Sequence, residues 1–555
     1  MLKNQQTRID LGEMIHRLWS TESFGTLPNV KLPVSKDNAR ALKLLEDNVT
    51  FTGERYEAPL LWTTDHPDLP DNYAVALVRF QSLDKSLKRN SAKAKAYELT
   101  ITDYINQGHA RKLGESEVEG PIGRTWYLPH HAVFNPSKPG KCRVVFDGAA
   151  TFRGVSLNNR LLTGPDLLTS LIGILLRLRE KKFAISGDIK GMFHQVRVRP
   201  DDTHALRFLW RSPTLAGPPD VYEMQVQIFG AASSPTVCSY VLRKAAADNE
   251  RYFPGLVEKV ERNCYMDNYM DSFDTEAEAV EFRDKIQEGL GKGGFLWTQW
   301  MSTSRVVLHS IPSELRSDPS LNLNLDDLPA EKTLGITLSW QEDAFKFKVN
   351  IRPGSDTYRS ILSDVCGLYD PLGFWTPITL PARVLLQDIC RLNPEWDEIL
   401  PEELEKRWRI WVADLRHLEA VAIPRCLQPF TPTTIELHIF VDASELGYGA
   451  AAYLLLRNKQ KVTTSFVMSK CRVAPIQHLT IPRMELSAAV LGTRLAQNIK
   501  AELRLKLDQE TYWSDSSTVL RWIHSTHCRY HTWVANRVGE ILSLTTPDEE
   551  LRAAR

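Results

Sequence analysis

Two strand-like runs tipped by aspartates set the tightest limit on how this chain can fold. KKFAISGDIKGMFHQVRV takes a short apolar strand directly into Asp188, and NCYMDNYMDSF, at 263–273, reads as a tight hairpin with Asp267 in its middle. Carboxylates at adjacent strand ends of one sheet can share a pair of divalent ions about 3.5 to 4 Å apart, which clamps the attacking and leaving oxygens in phosphoryl transfer. Taken alone, each aspartate reads more readily as a turn or helix cap.

The chain's 555 residues suggest three or four domains, each able to bury its own core. Residues 1–115 read as mostly helical and polar, with a Pro/Asp-rich loop at Asp65–Asn72. From 116 the pattern turns to short β-rich runs. TWYLPHHAVF and KCRVVF form an expected hairpin around a Pro-Ser-Lys-Pro-Gly turn at 136–140. A helix over 167–181, a strand pair around ALRFLW and VYEMQVQIF, and a helix over Ser234–Asn249 belong to the same unit, 116–340. Residues 341–430 read as helical, with Trp408, Trp411, Leu415 and Leu418 on one helix face. QPFTPTT, at 428–434, is a linker, and the last unit, 431–555, runs β-β-β-α-β-α. In that unit Asp442 closes the strand IELHIFV, Glu485 lies on the helix after Pro482, and Asp515 ends TYWS.

Lys plus Arg total 68 against 68 Asp plus Glu, so any nucleic-acid surface must be local. One basic stretch runs from Lys85 to Lys112, where Lys85, Lys88, Arg89, Lys93, Lys95, Arg111 and Lys112 outnumber Glu98 and Asp103. It reads as a solvated helix face or, more sharply, as a phosphate contact. The eight cysteines are scattered without Cys-x-x-Cys or zinc-finger spacing, the pattern of reduced, buried thiols. The N-terminus lacks the apolar core of a signal peptide. Leu167–Leu178 falls short of the roughly 20 residues that span a bilayer, and it runs into Arg177, Arg179, Lys181 and Lys182. A soluble intracellular protein is expected.

A series of blocks gives the two acids a context. KCRVVFDGAATFRGVSLNNRLLTGPDLL (141–168), SGDIKGMFHQVRV (186–198), ALRFLW (205–210), QIFGAASSPTVCSYVL (227–242), YMDN (265–268), GGFLWTQWMS (293–302) and LGITLSW (334–340) follow one another in order. In that order and spacing the sequence resembles the reverse transcriptase of BEL/Pao-group long-terminal-repeat retrotransposons, of which YDPLGFWTPIT (369–379) is a further block. The resemblance implies a multidomain α+β fold: a right-hand polymerase of fingers, palm and helical thumb or connection, followed by a ribonuclease H-like α/β domain. It implies two Mg2+ (or Mn2+) ions per active site, with Asp188 and Asp267 as the metal-binding pair of the palm. By the same resemblance Arg143 holds the incoming triphosphate, a role suited to a planar bidentate donor. Phe193 is the steric gate against a ribose 2′-hydroxyl, and Gln227, Phe229 and Gly230 pack on the nascent base pair. Asp442, Glu485 and Asp515 match the first three of the four acids of ribonuclease H. The implied partners are an RNA or DNA template-primer and dNTP, alongside other element-encoded proteins and no membrane. The implied location is the cytoplasm, in the element's virus-like particle, with the nucleus as the alternative.

The sequence departs from the family in two places. The family box is Tyr-x-Asp-Asp, whereas this one reads Tyr265-Met266-Asp267-Asn268. An amide brings no charge, so weaker metal affinity and a large drop in rate are expected. Asp271 matches an aspartate already present downstream in the family and does not replace the lost one. After WVANRVGEIL the block that carries the fourth ribonuclease H acid is not found, and Asp548 and Glu549 stand in for it by position alone. A closing helix and a final strand are expected to be missing, leaving a C-terminally incomplete domain without ribonuclease activity. The sequence carries no Asp-Thr-Gly or Asp-Ser-Gly protease triplet and no P-loop. The expected function is an RNA-directed DNA polymerase impaired at Asn268. The alternative is a decayed or co-opted nucleic-acid-binding protein without turnover, and a third reading is a structural subunit pairing with an active copy.

Overall fold

The structure, a computed structural model, describes residues 35–134, 142–321, 323–324, 327–333, 336–347, 351, 357–392, 394–525, 527–545 and 550–553. The turn expected at 136–140, and Asp548 and Glu549, lie outside the described residues.

Helices α1 (Tyr73–Lys88) and α2 (Ser91–Asn106) follow one another closely, and Asn90 caps α2 by accepting a hydrogen bond from Lys93 N at 3.0 Å. Helix α2 packs on a hairpin of β1 (His130–Phe134) and β2 (Cys142–Phe146), in which Val133 pairs with Arg143. Together with the antiparallel strands Arg207–Trp210 and Asp220–Met224 these elements enclose a core that includes Tyr97, Trp126, Phe146 and Phe208.

Helix α3 (Leu171–Glu180) is buried from Ile172 onward, which explains its continuous apolar run without a membrane. It leads into β3 (Phe183–Ile189), an inner strand of a four-stranded antiparallel sheet. Helix α4 (Ser234–Asn249) has the bounds expected from the sequence, with Pro235 in its first turn, where a missing N–H costs nothing. The other strands of the sheet are β4 (Cys264–Tyr265), β5 (Asn268–Phe273) and, after helix α5 (Glu276–Gly291), β6 (Trp297–Ser302), in the spatial order β4-β5-β3-β6. Thr275 and Glu278 form a capping box that starts α5. Gly187 is required in β3 because a Cβ there would lie 2.8 Å from the Trp300 ring.

A second four-stranded antiparallel sheet joins Ala330–Thr333, Ile336–Ser339, Ala344–Lys346 and Ala422–Pro424, so it carries strands from both of the units expected to meet at 340 and 341. Three helices, Tyr358–Gly367, Thr376–Leu392 and Glu402–Leu415, intervene. On the last of them Trp408 and Trp411 stack with their rings 5.0 Å apart and are buried with Leu415.

The C-terminal unit is a five-stranded mixed sheet. Strands β7 (Thr434–Ala443), β8 (Gly447–Arg457) and β9 (Val462–Val473) are antiparallel neighbours. Helix α6 (Ile481–Glu502) crosses them, and Gly492 permits the approach, since a Cβ there would lie 2.5 Å from Val441 Cγ1. Strand β10 (Gln509–Ser514) runs parallel to β7, helix α7 (Thr532–Leu544) packs on α6, and β11 (Glu550–Ala553) runs parallel to β10 with Leu551 opposite Tyr512. Strand β11 corrects the expectation that a final strand is missing. Its four residues carry no alternation long enough to mark a strand, and its pairing is supplied by β10.

One continuous core joins the β3–β6 sheet to the C-terminal sheet. Arg177 and Arg179, at the end of the apolar stretch, fasten the two together. Arg177 Nη1 pairs with Glu502 Oε2 at 2.5 Å, and Arg179 Nη2 donates to the Phe466 carbonyl at 2.6 Å.

Candidate active site

Strand β3 delivers Asp188, and the turn between β4 and β5 delivers Asp267. The register sets Asn268 opposite Asp188 on one side and Thr298 opposite it on the other, so both acids emerge at one end of neighbouring strands. The turn holds Met266 at φ +52°, and Ile189 N donates to the Asp267 carbonyl at 2.7 Å. Each carboxylate accepts from a side-chain amide: Asn268 Nδ2 donates to Asp267 Oδ1 at 2.9 Å, and Gln299 Nε2 to Asp188 Oδ1 at 3.3 Å. Gln299 lies in a register shift between Thr298 and Met301, at φ +55°. Burial raises the Asp267 carboxyl above its ordinary range, against the opposing pull of a backbone hydrogen bond, Arg143 and Asn268.

Hard carboxylate oxygens suit Mg2+. Two carboxylates balance the charge of one such ion and only half that of two, and the amide at 268 donates a hydrogen bond where a third carboxylate would accept. The donor set therefore fits a single divalent ion and does not fit a pair.

Arg143, Phe229 and Phe193 form a stack beside these acids. The Arg143 guanidinium lies 5.1 Å from the Phe229 ring, which also meets Phe193 edge-on at 4.5 Å. Gly230 sits at φ +115°, and a Cβ there would come within 1.9 Å of the Phe146 carbonyl oxygen, so only glycine lets this segment lie against β2. Gln227 is fully buried, its amide oxygen accepting from Ser234 Oγ at 3.2 Å. Behind Phe229 lie His194 and His109, with rings 5.0 Å apart. Burial first, and then neighbouring charge, pushes their pKa values down to about 3 and about 4. Sequence reading missed this neutral imidazole pair, which no motif marks.

Lys85, Lys88, Arg89, Lys93 and Lys95 are all exposed on α1, α2 and the link between them. Lys88 pairs with Asp84 at 2.8 Å, and the Lys93 ammonium lies 5.6 Å from the Phe134 ring. Arg111 and Lys112 are held locally, by Glu117 at 2.6 Å and Asp220 at 2.7 Å.

In the C-terminal unit, β7 and β10 are parallel with Phe440 opposite Trp513, which sets Asp442 and Asp515 at corresponding levels just beyond the paired residues. Glu485, near the start of α6, accepts from Ser516 Oγ, and Asp442 Oδ1 accepts from Ala443 N at 2.7 Å. Among the described residues, no three His, Cys, Asp or Glu side chains are gathered as a metal-holding group. The three acids share one end of the sheet.

Asp271 follows a different course. It is fully buried and accepts from Tyr269 Oη at 3.0 Å, from Arg504 Nη2 at 2.9 Å and from Lys259 Nζ. Burial alone would raise its carboxyl; Lys259 and Arg504 outweigh that and hold it below the ordinary range. Arg504 also reaches Glu180 at 2.6 Å, so this cluster binds the β3–β6 sheet to the C-terminal unit.

Residues 357–516 match the family described as the Pao retrotransposon-like RNaseH-like domain. Among solved structures, the foamy viral protease-reverse transcriptase in complex with dsDNA superposes with a TM-score of 0.56 at 15% identity, covering 97% of both chains. The same viral protein in complex with an RNA/DNA hybrid gives 0.53 at 14% identity, over 97% of this chain and 63% of that one. Its dRH form with dsDNA gives 0.55 at 16% identity, over 83% and 69%. No curated protein matches the sequence. The fold is that of a reverse transcriptase continuing into an RNase H-like domain. Residues 357–516 are thus similar to a Pao retrotransposon RNaseH-like domain, within a chain whose fold is similar to that of the foamy viral protease-reverse transcriptase. No described helix is long and apolar enough to cross a membrane.

Proposed function

We propose that this chain is an RNA-directed DNA polymerase that binds template-primer and dNTP but whose nucleotidyl transfer is attenuated at Asn268. The observation that carries the reading is the Asn268 amide donating to the Asp267 carboxylate at 2.9 Å. Asp188 and Asp267 would hold one Mg2+ or Mn2+ ion, which when bound supplies Lewis-acid polarisation of a phosphoryl oxygen. Arg143, braced on Phe229, receives the triphosphate. Phe193 supports Phe229 and narrows the space for a ribose 2′-hydroxyl, and Gln227 and Gly230 hold the segment that meets the nascent base pair. Lys85, Lys88, Arg89, Lys93 and Lys95 offer phosphate contacts along the duplex. Asp442, Glu485 and Asp515 mark where an RNA/DNA hybrid would lie.

The second reading is a nucleic-acid-binding protein without turnover, favoured by the amide on Asp188 as well as on Asp267. Primer extension compared among this chain, Asn268→Asp and Asp188→Asn separates the two. Slow extension that Asp188→Asn abolishes supports the polymerase. No extension until Asn268→Asp, with salt-sensitive duplex binding in all three proteins, supports the binder. Neither binding nor extension in Asn268→Asp would overturn both.

A further inference from the structure

A cavity of about 290 Å3 lies between the corner of the C-terminal sheet and helices α6 and α7. Its lining includes Arg472, Arg494 and Arg537, together with Tyr448, Asn536 and Glu540. Tyr448 and Arg472 are register partners across β8 and β9, so they project from the same face of the sheet. Helix α6 contributes Ser487, Val490, Leu491 and Arg494, which at 3.6 residues per turn share one face, roughly half a turn from Glu485. The cavity is therefore on the opposite side of α6 from the acid that the sequence assigns to ribonuclease H chemistry.

Three arginines and one glutamate line this space. Glu540 Oε1 pairs with Arg494 Nε at 2.5 Å. Arg537 is fixed from the other side, its guanidinium 3.5 Å from the Trp533 ring and its Nη1 donating to the Trp533 carbonyl at 3.1 Å. Burial lowers the Arg537 pKa, with a small addition from Arg494 and against opposing pulls from Tyr448 and Glu540. An anion entering the cavity would meet three arginines against one glutamate. Planar, forked guanidinium donors match phosphate oxygens in pairs, and the hydroxyls of Tyr448 and Ser487 and the Asn536 amide add neutral donors. The volume is at the small end of ligand pockets, enough for a phosphate or pyrophosphate group.

We propose that this cavity is a phosphate-binding site, in which Arg472, Arg494 and Arg537 take a phosphate group from a small free anion or from the backbone of a bound nucleic acid. The site does not depend on whether the palm polymerises.

The test uses the full chain, with pyrophosphate as the probe in titration calorimetry and a fluorescent duplex in a parallel anisotropy measurement. Wild type is compared with Arg537→Gln and with Asn536→Asp, which adds a carboxylate at an exposed position and so leaves the fold undisturbed. The expected result is pyrophosphate binding weakened about tenfold or more in each variant. If duplex affinity falls in parallel, the phosphate comes from a nucleic-acid backbone; if duplex affinity is unchanged, the ligand is a small anion. No pyrophosphate binding by wild type, or equal binding by wild type and Asn536→Asp, overturns the site.

Discussion

Asp267 and Asp271 stand four residues apart around one hairpin and have opposite surroundings. Asp271 is fully buried between two cations, with a carboxyl held below its ordinary range. Asp267 is half-buried, meets the neutral amide of Asn268, and has a carboxyl that burial raises. Residue type is the same in both, so the neighbours decide the role: paired with Lys259 and Arg504, an aspartate ties two units together; beside an amide, it keeps an unbalanced charge that a cation can answer. The comparison breaks most directly at Asp271. Asp271→Ala leaves Lys259 and Arg504 without their shared partner, and unfolding of the full chain in urea should show a loss of about 3 to 5 kcal/mol. A loss below about 1 kcal/mol would mean that the cluster is not what joins the two units.

Asn268→Asp tests the other half of the contrast. A carboxylate there removes the amide from Asp267 and restores a third negative charge, while the hairpin register is untouched. Primer extension should rise on the order of 100-fold, equivalent to about 2.7 kcal/mol of barrier, with little change in stability. Adjacent carboxylates disfavour each other's ionisation, so the gain should grow as pH rises. A flat pH profile would count against charge as the limiting factor.

Titration gives the contrast a sign. A depressed carboxyl such as Asp271 contributes stability that is present above its unfolded value near 3.9 and is lost as pH falls through the lower folded value. A raised carboxyl such as Asp267 does the reverse: its favourable contribution is full below about 3.9 and is lost as pH rises through its folded value. Asp267→Asn should therefore raise the melting temperature at neutral pH, with the gain vanishing in acid. Equal gains at both pH values would show that the Asp267 carboxyl is not shifted.

What could be read beforehand follows from the range of each interaction. Asp188 and Asp267 stand out because a strand that ends on an acid and a hairpin that carries one are local patterns, and the Ser234–Asn249 helix has its start marked by Pro235. Gln299 has no such signal. It reaches Asp188 only because the backbone of β6 shifts register at that point, and bulges leave little trace in composition. Arg504 and Asp271 are 233 residues apart, and neither has local context that names the other. Arg177 and Arg179 looked like the polar end of an apolar run, and their burial is visible only once β9 and Glu502 are in place. Strand β11 is likewise defined by its partner and not by its own four residues.

The smallest effects are expected on α1 and α2, where charge is neither buried nor opposed as it is at Asp271. Lys85, Arg89 and Lys95 are exposed, so replacing each by alanine should shift stability by no more than about 0.5 kcal/mol. If they touch the phosphates of a bound duplex, each substitution should lower the slope of log affinity against log salt by about 1, uniformly across duplex sequences. Lys88 differs, since Asp84 holds it at 2.8 Å and that ion pair must open before the ammonium can reach a phosphate. Its substitution should therefore change the slope less than that of Lys85 or Arg89. A salt dependence that none of the four alters would leave this stretch as a solvated helix face.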